Sequence, residues 1–110
     1  MFLPHGEECN VPDVKLIGYL LSETHPVGKA KAKLLRSLGF NENNVEALRN
    51  GLIRIACEGP IGETTVSEHG TKYVVSGVLH TPDGHVIELR TVWIVGADDF
   101  RPRFVTAFPA

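Results

Sequence analysis

The feature that most constrains this chain is a change of hydrophobic period after Gly62. Upstream, apolar residues recur at three- and four-residue intervals, the spacing that lines one face of a helix. Downstream, runs rich in valine, isoleucine and threonine are cut by turn residues, which is how strands are written. Helices followed by consecutive hairpin strands predict an α+β fold, with N-terminal helices packed on one face of a three- to four-stranded antiparallel meander.

In the helical part, residues 13–58, Asp13 is placed to cap a first helix through Leu21, with Val14, Ile17, Leu20 and Leu21 as its apolar stripe and Gly18 as its weak point. His25-Pro26 opens a second helix that Gly39 ends. A third starts among Asn41, Asn43 and Asn44, carries Val45, Leu48, Leu52, Ile55 and Ala56 at helical spacing, and stops at Gly59-Pro60. The sheet part, residues 63–109, offers strands over Glu63 to Ser67, Thr71 to His80, His85 to Val95 and Arg103 to Phe108. Thr81-Pro82-Asp83-Gly84 between the second and third is a strong hairpin turn. Residues 1–12 hold Pro4, Gly6 and Pro12 without a sustained period and read as an arm on a single domain spanning 1–110.

At 110 residues with 43% hydrophobic side chains, folding buries about two-thirds of the unfolded surface, enough for a core without cross-links. Cys9 and Cys57 stand far apart in no paired pattern, and the segment MFLPHGEE has no basic stretch leading into an apolar run. A cytoplasmic protein with no membrane span and no cofactor is expected. A net charge of -2 excludes a protein that coats nucleic acid through bulk charge, while leaving room for a local basic site.

Two positions stand out as chemistry. On a helical wheel with Lys29 at zero, Lys33 and Arg36 fall within about 40° of it, but Lys31 falls near 200°, inside the stripe of Val27, Leu34 and Leu38. A lysine turned toward the core snorkels, pairs with a carboxylate, or lines a cleft where its ammonium holds an anion such as phosphate. His25 lies a little under two turns upstream, either as a local turn residue or as an acid/base group sharing that cleft. In the third strand Ile87, Leu89, Thr91, Trp93 and Val95 point one way, toward the core, and Arg90 the other, where it pairs with Glu88 or Asp83 or binds phosphate. Thr106 and Tyr73 offer hydroxyls on strands. His80 and His85 flank the hairpin turn without a third ligand at zinc spacing, and no metal site is expected.

Several stretches resemble a family of small bacterial proteins of unknown function. They are Lys15-Leu16, Tyr19-Leu20, the H-P-x-G-x-x-K-A run from His25 to Ala32, Leu38-Gly39-Phe40, Gly70-Thr71-Lys72-Tyr73-Val74-Val75, Pro82-Asp83-Gly84, Arg90-Thr91-Val92-Trp93-Ile94-Val95 and Pro102 to Pro109. His69 and Phe108 stand where that family commonly has tyrosine, so neither hydroxyl is essential here. Helices followed by a meander ending in V-T-A-F-P are also similar to the barnase, EndoU and RelE group of metal-independent ribonucleases, many of them bacterial toxins. That resemblance implies His25 as general acid or base, Lys31 and Arg90 stabilising a charged phosphorane, and Thr91 or Thr106 orienting a phosphate or 2′-hydroxyl. Three readings stay open: a toxin-associated domain that cleaves RNA, a non-catalytic antitoxin- or immunity-like module that binds a cognate protein, and a homodimer formed through an uncovered sheet edge. Convergence of His25, Lys31 and Arg90 on one anion is what the first requires.

Overall fold

In the computed structural model, which describes residues 1–110, Thr81-Pro82-Asp83-Gly84 forms the turn its residues favour. Gly84 adopts φ 89°, the Thr81 N–H donates to the His85 carbonyl at 2.9 Å, and the Thr81 hydroxyl donates to the Asp83 carboxylate. The turn joins β2 (Gly70–His80) to β3 (Val86–Val95) with Leu79 opposite Ile87 and Thr71 opposite Val95. β1 (Ile61–Ser67) and β4 (Arg103–Pro109) flank this hairpin, giving an antiparallel sheet in the order β1-β2-β3-β4. The four expected strands are all present.

Helices α2 (Lys29–Ser37) and α3 (Val45–Glu58) fall where the apolar spacing puts them. Asn41 and Asn44 make a capping box just ahead of α3, each side chain accepting a backbone N–H of the other's end. Gly39, at φ 102°, turns the chain out of α2.

The first helix departs from expectation. α1 (Asp13–Lys15) runs into a π-helical turn, Leu16–Leu20, closed by the Leu21 N–H donating to the Leu16 carbonyl at 2.8 Å. The wider turn lets Leu16, Leu20 and Leu21 share one inward face with at most 1% of their surface exposed, while Val14 and Ile17, expected in the stripe, lie outside it. Asp13 does not cap; its carboxylate pairs with Arg49 of α3.

Residues 1–12 lie against this body. Leu3 and Val11 are buried, Phe2 bridges Pro60, and Asn10 bridges Arg103, donating to the Pro102 carbonyl and accepting from the Phe104 N–H.

One core joins helices to sheet, built around Leu16, Leu48, Leu52, Val75, Leu79 and Trp93. Leu89, Thr91 and Trp93 of β3 face it, as alternation requires. A bulge in β4 then reverses the alternation: Phe104 sits opposite Trp93 and Thr106 opposite Val92, leaving Val105 as the extra residue. Phe104 consequently enters the core, its ring edge-on to Trp93 at 5.3 Å, while Thr106 and Phe108 emerge on the far face. The helical part reaches that far face only at its β4 margin, through Tyr19 and Lys31, and the face carries Lys72, Val74, Arg90, Val92 and Ile94. No helix of the protein is long and apolar enough to cross a membrane.

Candidate functional site

His25 is held by its own loop. Its Nδ1 accepts the backbone N–H groups of Val27 and Gly28, both at 3.0 Å, so the ring serves as the cap that α2 otherwise lacks and regular helix begins at Lys29 rather than at Pro26. With Nδ1 committed as acceptor, the proton of the neutral ring belongs on Nε2, the nitrogen left for other chemistry. The ring packs edge-on against Tyr19, 4.9 Å between centroids. Gly28 is buried beneath the same tyrosine, where a Cβ would lie 2.2 Å from the Tyr19 carbonyl oxygen, and only glycine allows that approach. Arg36 fixes the loop from behind, donating to the Leu21 carbonyl at 2.7 and 3.1 Å and pairing with Glu23 and Glu42.

Tyr19 connects this loop to the sheet. Its hydroxyl is 2.7 Å from the Thr106 hydroxyl on β4. Lys15 lies over the same ring, 5.3 Å from its centroid.

Lys31 resolves its position in the apolar stripe by reaching out of it. The stem lines a small apolar cleft of about 20 Å³ with Leu34, Leu35, Leu89, Ala107 and Pro109, and Nζ lies 6.0 Å from the centroid of Phe108 on the bare face. Phe108 is directly opposite Arg90 of β3. The contacts along the β4 margin thus run pairwise, His25 on Tyr19, Tyr19 on Thr106, Lys31 beside Phe108 and Phe108 opposite Arg90, while Lys31 and Arg90 line separate clefts.

The charges there are unusual for what they lack. Arg36, Arg49, Arg54 and Arg101 each sit against a carboxylate, whereas neither Arg90 nor any of Lys15, Lys29, Lys31, Lys33 and Lys72 is in an ion pair. The expected pairing of Arg90 with Glu88 or Asp83 is not made; Asp83 is engaged by Thr81 and His85, which hold its carboxyl below the ordinary carboxylate range. Three lysines in the first turns of α2, with no acidic residue in the first, also oppose the helix dipole. Such an arrangement costs stability unless an anion is present.

Thr91 stands apart from the other candidates. It is fully buried, donates to the Val75 carbonyl at 2.8 Å and accepts from the Trp93 indole N–H at 2.8 Å. Alternation puts it on the opposite face from Arg90, and both its lone hydroxyl proton and an acceptor site are spent in the core, so it does not fit a substrate-orienting role. Tyr19 and Arg36 were not legible as site residues. The distance of 87 positions between Tyr19 and Thr106 hides their contact, and Arg36 shares a wheel face with solvated lysines. The one cluster with metal-ligand chemistry, His5, Glu7 and Glu8 within 4.8 Å of one another, is exposed and remote in sequence from this margin.

Residues 2–110 match the family described as a domain of unknown function, DUF6883. The chain belongs to this family. No curated protein matches the sequence. Among solved structures, the DUF6883 fold is similar to a chain of the contact-dependent growth inhibition toxin–immunity protein complex from Klebsiella pneumoniae 342, with a TM-score of 0.73 over 91% of this chain and 98% of that one. At 18% identity, the likeness is one of fold.

Proposed function

We propose that this DUF6883 domain is a toxin-associated, metal-independent ribonuclease whose site is the β4 margin of the bare sheet face. The observation that carries this reading is a pair of contact runs on that margin, one from a histidine with one free nitrogen through Tyr19 to Thr106, the other from Lys31 past Phe108 to Arg90, two cations in no ion pair. The fold it shares with a chain of a toxin–immunity complex supports the toxin association.

In this reading Lys31 and Arg90 hold the scissile phosphate and stabilise the charge that grows as the phosphorane forms. The 2′-oxygen attacks phosphorus, the bond to the 5′-oxygen breaks, and a cyclic phosphate and a 5′-hydroxyl result. One proton must leave the 2′-hydroxyl and one must reach the departing 5′-oxygen. With its proton on Nε2, His25 acts on the acid side, donating to the departing 5′-oxygen and being reprotonated from water, while the Tyr19–Thr106 hydroxyl pair relays the 2′-proton to water. Arg36 is a positioning residue that sets the His25 loop.

The test is cleavage of RNA by purified protein in the presence of a chelator, with His25→Ala and Lys31→Ala compared after both are shown to be folded. Cleavage lost in both variants supports the reading, and cleavage retained in both overturns it. An inactive wild-type protein that captures a cognate toxin instead favours the rival reading of an immunity-like module, with which the likeness to one chain of a toxin–immunity complex is equally consistent.

A further inference from the structure

The bare face carries a pattern that the cleavage reading leaves unused. Across the ladder, Ser76, Arg90 and Phe108 form one row, Glu63, Val74, Val92 and Thr106 the next, and Thr65, Lys72, Ile94 and Arg103 a third, with Glu88 one row before Arg90; the two carboxylates thus stand outside the track, at the β1 side and beyond its Arg90 end. Rows two residues apart along a strand are separated by about 6.6 Å, so Arg90 and Lys72 lie about 13 Å apart with apolar floor between them. That floor, Val74, Val92 and Ile94, is half-buried and capped by nothing. Arg103 leans out of the track, lining a cleft with Asp99 and Glu8. Phe108 is the aromatic ring of this face, next to both Arg90 and Lys31.

Cations at two ends of an apolar floor, with an aromatic ring beside the first, match a single nucleic-acid strand better than a compact anion. Phosphates meet the cations while unstacked bases lie on the floor. A duplex keeps its base faces stacked inside and offers phosphates, 2′-hydroxyls and base edges, so it gives Phe108 no face to stack on. Lys31 Nζ stands at the outer limit of a cation–π contact, and its transfer to a phosphate gives up little while freeing the ring.

We infer that this face binds one RNA strand, with Phe108 the stacking platform for the base next to the phosphate held by Lys31 and Arg90. The inference rests on the RNA reading of the same site. It is tested by fluorescence anisotropy with a short single-stranded oligoribonucleotide, using full-length His25→Ala protein so that the probe is not cut. Phe108→Leu keeps the apolar packing without the ring and is expected to weaken binding about tenfold, whereas Phe108→Tyr stays within about twofold of the parent. A duplex of the same sequence is expected to bind more weakly and to ignore Phe108→Leu.

Phe108→Leu binding as well as Phe108→Tyr overturns the platform, and so does equal competition by inorganic polyphosphate and the single strand, which reports bulk charge. Ring-dependent binding in a protein that cleaves no RNA supports the platform and removes only the catalytic reading. His25-dependent cleavage with binding indifferent to residue 108 removes only the platform.

Discussion

One nitrogen of His25 is structural and the other is free, and substitutions separate the two duties. His25→Asn retains a side-chain acceptor for the N–H groups of Val27 and Gly28, while His25→Ala leaves them to water. Thermal or denaturant unfolding is expected to show a loss of about 1 kcal/mol for alanine and a smaller loss for asparagine. If the ring transfers protons, RNA cleavage disappears in both, and the asparagine variant excludes a loosened loop as the cause. Thr91 behaves in the reverse manner. Thr91→Val is nearly isosteric but strands the Trp93 indole N–H in the core, and is expected to cost about 1–3 kcal/mol while a folded variant keeps its RNA affinity. Sequence brought both residues to attention for the same supposed chemistry. The period-2 rule already put Thr91 and Arg90 on opposite faces, and following that rule through separates them before any coordinates do.

Turns and strands were the legible elements because their determinants are local. The Thr81–Gly84 hairpin needs only its own residues, and acid exposes its electrostatics. Asp83 is held below its ordinary pKa first by the Thr81 hydroxyl and then by the His85 side chain. A depressed carboxyl contributes stability above its unfolded value, about 3.9, and loses that contribution as pH falls through the lower folded value. Titration followed by the Thr81 amide signal is therefore expected to show the turn loosening below about pH 4, with Asp83→Asn flattening that transition. The β4 bulge and the π turn were not legible, since both are set by what they pack against. Three leucines needing one face widen the helix at Leu16–Leu20, and Phe104 needing Trp93 slips the register so that Thr106 and Phe108 surface together. The composition of the candidate site depends on that single extra residue, Val105.

Across the whole molecule a net charge of -2 conceals a division of labour. Carboxylates neutralise Arg36, Arg49, Arg54 and Arg101, and Lys31, Arg90 and Lys72 are left without partners on or beside the bare face. Two phosphates, one held by Lys31 and Arg90 and one by Lys72, predict that log affinity falls with log salt at a slope of about -1.4, and Lys72→Gln is expected to reduce that slope by about 0.7 without changing the preference for single strands over duplex. Affinity measured across a salt series checks both numbers.

The strap of residues 1–12 has a further effect through its bridge at Asn10. By bonding Pro102 and Phe104 it occupies the start of the outer margin of β4, and at its other end the Met1 carbonyl takes the Ile61 N–H beside the Phe2–Pro60 bridge, so the strap touches both margins of the sheet. Loss of the strap therefore bares the start of both edge strands at once, and a chain without residues 1–12 is expected to pair edge to edge more readily than one that keeps them.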